Sequence, residues 1–192
     1  IQNGEAIFSC SISFQKREKG LSHQIKMPKI QGPEKLKSDL ELRKDLQSKI
    51  PKDYLPMWLR EREIETRQVE PVDLLKAEKL PPYRSTWMKP TGKLPTDERI
   101  HQALLLYVSD MGLLGAAVNP HEVNFMSKKF QSASLDHVMW FHGKVNFNNW
   151  ILHHMHSPIS QNARGFSRGS IYTKSGKLIA STAQEGLMRI WD

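Results

Sequence analysis

Between Thr96 and about Val118 the chain carries Ile100, Leu104, Leu105, Leu106, Val108, Met111, Leu113 and Leu114, with Ala103 and Tyr107 among them. On a 3.6-residue period these positions leave almost no polar side. A helix with one apolar stripe can lie on a surface, but one that is apolar nearly all round has to be enclosed by other elements. Thr96 or Asp97 supplies its N-cap. Something must therefore wrap this helix, and the flanking sequence provides it. Tyr83–Met88 reads as a strand closed by Pro90-Thr91-Gly92, and residues 135–141, 150–155, 163–173 and 178–190 follow as strands. The last two meet at Lys174-Ser175-Gly176-Lys177, read as a two-residue hairpin with glycine where positive φ is needed. The fold expected is α+β, an antiparallel sheet wrapped around a long central helix.

The first 80 residues differ. Ala6, Phe8, Cys10, Ile12 and Phe14 alternate with Ser9, Ser11, Ser13 and Gln15, which predicts a half-buried strand over 5–15. A lone strand has no sheet of its own, and the chain opens at Ile1 without an initiator Met, so an upstream unit is expected. From Lys16 to Leu80 the sequence is polar and punctuated by proline. Leu36, Leu40, Leu46 and Ile50 allow a weak amphipathic helix, stopped at Pro51 and Pro56. Trp58 and Leu59 read as a packing anchor.

The formal net charge is +8 over 192 residues. More than half of the charged side chains lie in residues 16–79, where signs alternate, as in Arg60-Glu61-Arg62-Glu63. That is a solvated mixed-charge face, and no nucleic-acid partner is expected. The positive excess still suits a small phosphorylated ligand. Cys10 is the single cysteine and can form no internal bridge. No apolar run approaches the roughly 20 residues of a membrane-spanning helix, so no membrane span is expected.

A few polar residues stand where apolar ones belong. Asp110 has Leu106, Tyr107, Leu113 and Leu114 as its three- and four-residue neighbours. A carboxylate buried there needs hydrogen bonds or a reason to be there, either functional or as a loop cap beside a bend at Gly112. Gln184 shares a strand face with Leu178, Ala180, Met188 and Ile190, where its amide must find partners for two donors and an acceptor, unless it is an edge residue bonding backbone. Ser134, Asp136 and His137 look like an acyl-transfer set. On an extended segment, however, His137 opposes the other two and no relay forms. His154 and His156 share a face but lack a third ligand, so no metal is called for. Arg164-Gly165-Phe166-Ser167-Arg168-Gly169 lacks a phosphate-loop fingerprint, and its glycines read as sites of close packing against the helix.

Tyr107-Val108-Ser109-Asp110, Ala133-Ser134-Leu135-Asp136-His137-Val138-Met139-Trp140-Phe141-His142, Ala163-Arg164-Gly165 and Ala183-Gln184-Glu185-Gly186 resemble, in order and spacing, the acyl-CoA thioesterase II family. The resemblance implies a double hotdog fold, with this chain holding the second hotdog. It divides the chain into the closing strands of a truncated first repeat at 1–31, a linker at 32–80 and the second hotdog at 81–192. It implies hydrolysis of fatty acyl-CoA to fatty acid and CoA without a cofactor. The family's catalytic trio falls on Asp110, Ser134 and Gln184, with Arg164 and Arg168 as candidates for CoA phosphates. The alternative is a hotdog scaffold that binds acyl-CoA or a partner without turnover. A homo-oligomer, or pairing with a missing first repeat, is expected. Peroxisomal placement is common among relatives, but Ile190-Trp191-Asp192 is not a Ser-Lys-Leu address; cytoplasm or peroxisomal matrix is the expectation.

Overall fold

The computed structural model describes residues 2–73, 75–123, 125 and 127–191. Gln2 and Glu5 close a small turn, after which residues 6–26 are exposed and join no strand. The strand expected at 5–15 is not formed. Its alternation supplies one apolar edge, but Phe8, Ile12 and Phe14 meet no neighbouring strand, and Phe14 is 91% exposed.

Contact begins further along. The Gln24 side chain donates to Gly176 O (2.8 Å) and accepts from Leu178 N–H (3.1 Å). Met27, Ile30 and Leu36 then pack against Trp87, Leu152 and Tyr172. The helix expected after Pro33 is a series of short pieces: α1 (Asp39–Asp45), single 3₁₀ turns before and after it, and α2 (Leu55–Trp58). Ser38 and Glu41 form a reciprocal capping box at the start of α1, satisfying two backbone donors of the first turn. Trp58 is the anchor expected of it. Its indole N–H donates to Arg43 O (2.8 Å), while the buried Arg43 guanidinium returns bonds to Trp58 O, Arg60 O and Asp39.

Then come β1 (Ile64–Gln68), β2 (Tyr83–Pro90), α3 (Glu98–Ser109), α4 (Leu113–Val118), β3 (Phe130–Ser134), β4 (Val138–Phe141), β5 (Ile151–Gln161), β6 (Arg164–Thr173) and β7 (Leu178–Ile190). Among the described residues seven strands make one antiparallel sheet in the order β1-β2-β5-β6-β7-β3, with β4 also on β7. Strand β1 was not foreseen; it lies in the stretch read as linker and pairs along β2 from Ile64–Pro90 to Gln68–Thr86.

The sheet holds the helices on one face. Leu105 and Val108 of α3 meet Met88, Ile151, Ile171 and Ile179, and Leu113 and Ala116 of α4 meet Met155. Helix α4 sits close on β6 and β7 because of two glycines. A Cβ on Gly165 would lie 2.5 Å from the Ala117 methyl, and one on Gly186 would lie 2.5 Å from Leu114 Cδ1.

Three expectations are corrected in detail. The single helix is two, broken at Gly112, whose φ of 93° disfavours any side chain and which faces Met155. Its first part, α3, is also enclosed on one side only, with Ile100, Leu106 and Tyr107 exposed, whereas α4 is buried almost throughout. The strand expected at 135–141 begins at Phe130 and is interrupted at 135–137, which belong to neither β3 nor β4. The β6–β7 turn encloses three residues, Lys174–Gly176, between Thr173 and Lys177, not two. Thr173 N–H donates to Lys177 O (2.8 Å), and Gly176 takes φ 88° before the pairing resumes.

Candidate active site

Asp110 follows the last turn of α3, where the backbone is still right-handed and Gly112 is about to break the helix. Ser134 is the last residue of β3, paired across to Gly186. Gln184 lies two residues earlier on β7, with its side chain on the face that holds the helices. These placements bring three residues from distant parts of the sequence together. Gln184 Nε2 donates to Asp110 Oδ1 (2.7 Å) and to Ser134 Oγ (2.5 Å), and Ser134 Oγ–H donates to Asp110 Oδ1 (3.0 Å).

Gln184 was expected to be an amide among apolar neighbours, and it is 2% exposed. All three of its hydrogen-bonding capacities are met, because Oε1 lies 3.1 Å from His137 Nδ1. A buried amide left short of one partner would cost about 1–3 kcal/mol, and this one is left short of none. Asp110, by contrast, is exposed. Its neighbours Leu106 and Tyr107 lie on the uncovered side of α3, so the expected burial does not occur. The carboxylate is held by two donors on one oxygen and open on its other side.

The face argument that separated Ser134 from His137 also fails. It assumed continuous extended backbone through 134–137, whereas β3 ends at Ser134 and the chain turns. Leu135 N–H donates to Glu185 O (2.9 Å), and Asp136 Oδ1 accepts from Glu185 N–H (2.8 Å), pinning the turn to β7. His137 thereby reaches Gln184 on one side and Ser109 Oγ (2.7 Å) on the other. It bonds neither Ser134 nor Asp136, so those three form no relay. The buried Ser109, in turn, donates toward Leu106 O (2.7 Å). Neither Ser109 nor the contact of His137 with Gln184 was foreseen. The available signal was a hydroxyl inside an otherwise aliphatic helical run.

Behind the site His153 is fully buried, with Nε2 3.3 Å from Thr182 Oγ1. Burial, with smaller contributions from His137 and His154, pushes its pKa down to about 3, so the imidazole is neutral near pH 7. His154 turns the other way, onto Ser85 Oγ (3.0 Å). Arg164 pairs with Glu185 (3.1 Å) and Arg168 lies over the Phe166 ring. Both alternate onto the sheet face opposite Gln184, away from the trio.

Comparison with known proteins agrees with this architecture. A hot dog fold protein from Alicyclobacillus acidocaldarius shares the fold, with a TM-score of 0.62 at 15% identity over 92% of this chain and 60% of that one. The acyl-CoA thioesterase II TesB2 from Mycobacterium marinum superposes with a TM-score of 0.67 at 29% identity, over 93% of this chain and 61% of that one. Acyl-CoA thioesterase 2 of Haemophilus influenzae is 35% identical over 189 residues, covering 98% of this chain and 66% of that protein. The chain thus spans just under two thirds of the length of such relatives. Residues 58–187, from the Trp58 anchor through Gln184 on β7, match the model of the acyl-CoA thioesterases, and the chain belongs to that family.

Proposed function

We propose that this chain carries the water-activating site of an acyl-CoA hydrolase, which cleaves fatty acyl-CoA to a free fatty acid and CoA. The observation that supports this best is the closed triangle of hydrogen bonds around Asp110 Oδ1 from Ser134 and Gln184. An exposed carboxylate pinned on one oxygen has the other available to a water. That oxygen takes a proton as the water attacks the thioester carbonyl. The tetrahedral intermediate then collapses, the C–S bond breaks, and the proton passes to the departing CoA thiolate. Ser134 and Gln184 orient the carboxylate and the water, and none of the three becomes acylated. Exposed Leu106, Tyr107 and Leu135 around the site suit an acyl chain. The test is free-thiol release from long-chain acyl-CoA. Release that disappears in Asp110→Asn supports the proposal, and normal release in that variant rejects it.

Ile100, Leu106 and Tyr107 also leave the outer side of α3 apolar and exposed, and patches of this kind mark interfaces. We propose that a second hotdog unit, from the same polypeptide or from a second copy, closes over it. Sedimentation velocity of this chain should show reversible self-association. A monomer at all concentrations, with Tyr107 still accessible to quenchers, would reject closure by a second copy.

A further inference from the structure

We infer that His137 is a positioning residue for the reaction: its Nδ1–H fixes which way the Gln184 amide faces, and Ser109 fixes the imidazole. The inference rests on the hydrolase reading above. A glutamine amide is nearly symmetric in shape, and its two flips exchange NH₂ for C=O. Only the flip with NH₂ toward Asp110 and Ser134 serves the site; the other would set Oε1 against a carboxylate oxygen. Asp110 selects that flip while it is ionised. During turnover, however, Oδ2 takes a proton and the charge on the carboxylate is lost; Oδ1 still accepts, but its hold on the amide weakens midway through the cycle.

His137 supplies a hold that does not depend on the charge of Asp110. Gln184 Oε1 can only accept, so His137 Nδ1, 3.1 Å away, must carry a proton. The other nitrogen, Nε2, faces Ser109 Oγ at 2.7 Å, and that hydroxyl also lies 2.7 Å from Leu106 O. If the Ser109 proton points at Nε2, the imidazole is the neutral Nδ1–H tautomer. If it points at Leu106 O, Nε2 must donate too and the ring is imidazolium. Both arrangements leave Nδ1–H aimed at Gln184. The adjacent turn is pinned by Asp136 and Leu135 to Glu185, the residue after Gln184, so imidazole and amide share one rigid mount. Ser109, Asp110, Ser134, His137 and Gln184 then form one connected chain of hydrogen bonds.

The experiment compares His137→Ala, His137→Gln and His137→Asn in the full protein, with thiol release and a Gln184→Ala background. Asparagine presents its amide N–H near the position of Nδ1; glutamine reaches instead toward Nε2. His137→Ala and His137→Gln should lower kcat about tenfold with KM within about twofold, and His137→Asn should recover most of the loss. In the Gln184→Ala background His137→Ala should cost less than about twofold further, since it acts through that amide. Independently of turnover, ¹⁵N spectra of the imidazole should show a protonated Nδ1 whose signal shifts in Gln184→Ala. A bare Nδ1, losses that multiply with Gln184→Ala, or an asparagine variant no better than alanine would overturn the inference. Asp110→Asn, run alongside, separates the two failures: normal turnover there removes the hydrolase reading itself, whereas a dead Asp110→Asn beside silent His137 variants removes only this one.

Discussion

On the sheet face turned away from the helices, Trp87, Leu152 and Tyr172 lie under Met27, Ile30 and Leu36 of the preceding segment. On the side of α3 turned away from the sheet, Ile100, Leu106 and Tyr107 lie under none of the described residues, and Tyr107 is 65% exposed. The covered region is tied down by structural bonds: Trp87 Nε1 to Gln31 O (2.9 Å), Arg67 to Pro33 O (2.8 Å), and a Lys174–Glu34 ion pair. The open region ends in Asp110, Ser134 and Gln184. Apolar surface that only stabilises has been covered from within, while apolar surface beside polar chemistry has been left accessible.

Substitutions that exchange the two effects would break that contrast. Asp110→Asn preserves shape and removes the proton acceptor, so turnover should fall by roughly 10²–10⁴ while the unfolding midpoint stays put. Trp87→Ala should do the reverse. It empties a 2%-exposed site and strands Gln31 O, for a loss of about 3–5 kcal/mol in denaturant unfolding with activity retained in the folded fraction. Equal effects of both on stability and turnover would mean that the two regions are not separate in function.

The interior between them has its own signature, and it depends on pH. The folded state keeps His153 neutral down to about pH 3, whereas in the unfolded chain it titrates near 6.5. Between those values the unfolded state binds the extra proton. The contribution is therefore fully present above about pH 6.5 and is lost as pH falls toward 3, at up to roughly 1.4 kcal/mol per unit. Urea midpoints from pH 7 to 4 should fall more steeply in the wild type than in His153→Gln, and parallel slopes would count against this. The smallest effect is at Ser134. Threonine keeps the hydroxyl and should be nearly silent in turnover, whereas alanine should not; a silent Ser134→Ala would reduce the trio to a pair.

Much of this was legible in the sequence where a period could be read. Strands β2, β5, β6 and β7 and the N-cap at Asp97 follow from alternation and capping chemistry. Gln184 was identified because a strand's faces are unambiguous, and an amide on an apolar face must be satisfied. Asp110 was singled out for a reason that proved wrong. Periodicity shows which residues are apolar but not which side of a helix a neighbour covers, so the open side of α3 was read as buried. The trio itself came from resemblance, not from spacing. Strand β1 was hidden because Ile64–Gln68 carries charges at alternate positions, Glu65 and Arg67, that pair with each other (2.6 Å), and the strand lies at a sheet edge. The bond from His137 to Gln184 was illegible because it depends on where β3 stops.

The strap that covers the outer face has a kinetic consequence. Gln24 bonds Gly176 and Leu178, partners more than 150 positions downstream, and Lys174 of the same hairpin pairs with Glu34. Contacts that span so much of the chain raise contact order and slow folding. At ~5–20 residues per second of synthesis, the early segment waits roughly 8–30 s before the hairpin that receives it has been made. Through that interval Met27, Ile30 and Leu36 have no surface to dock on. The interior of the sheet can assemble without them, so closing the strap is a late step, and the nascent chain is most exposed to aggregation just before it.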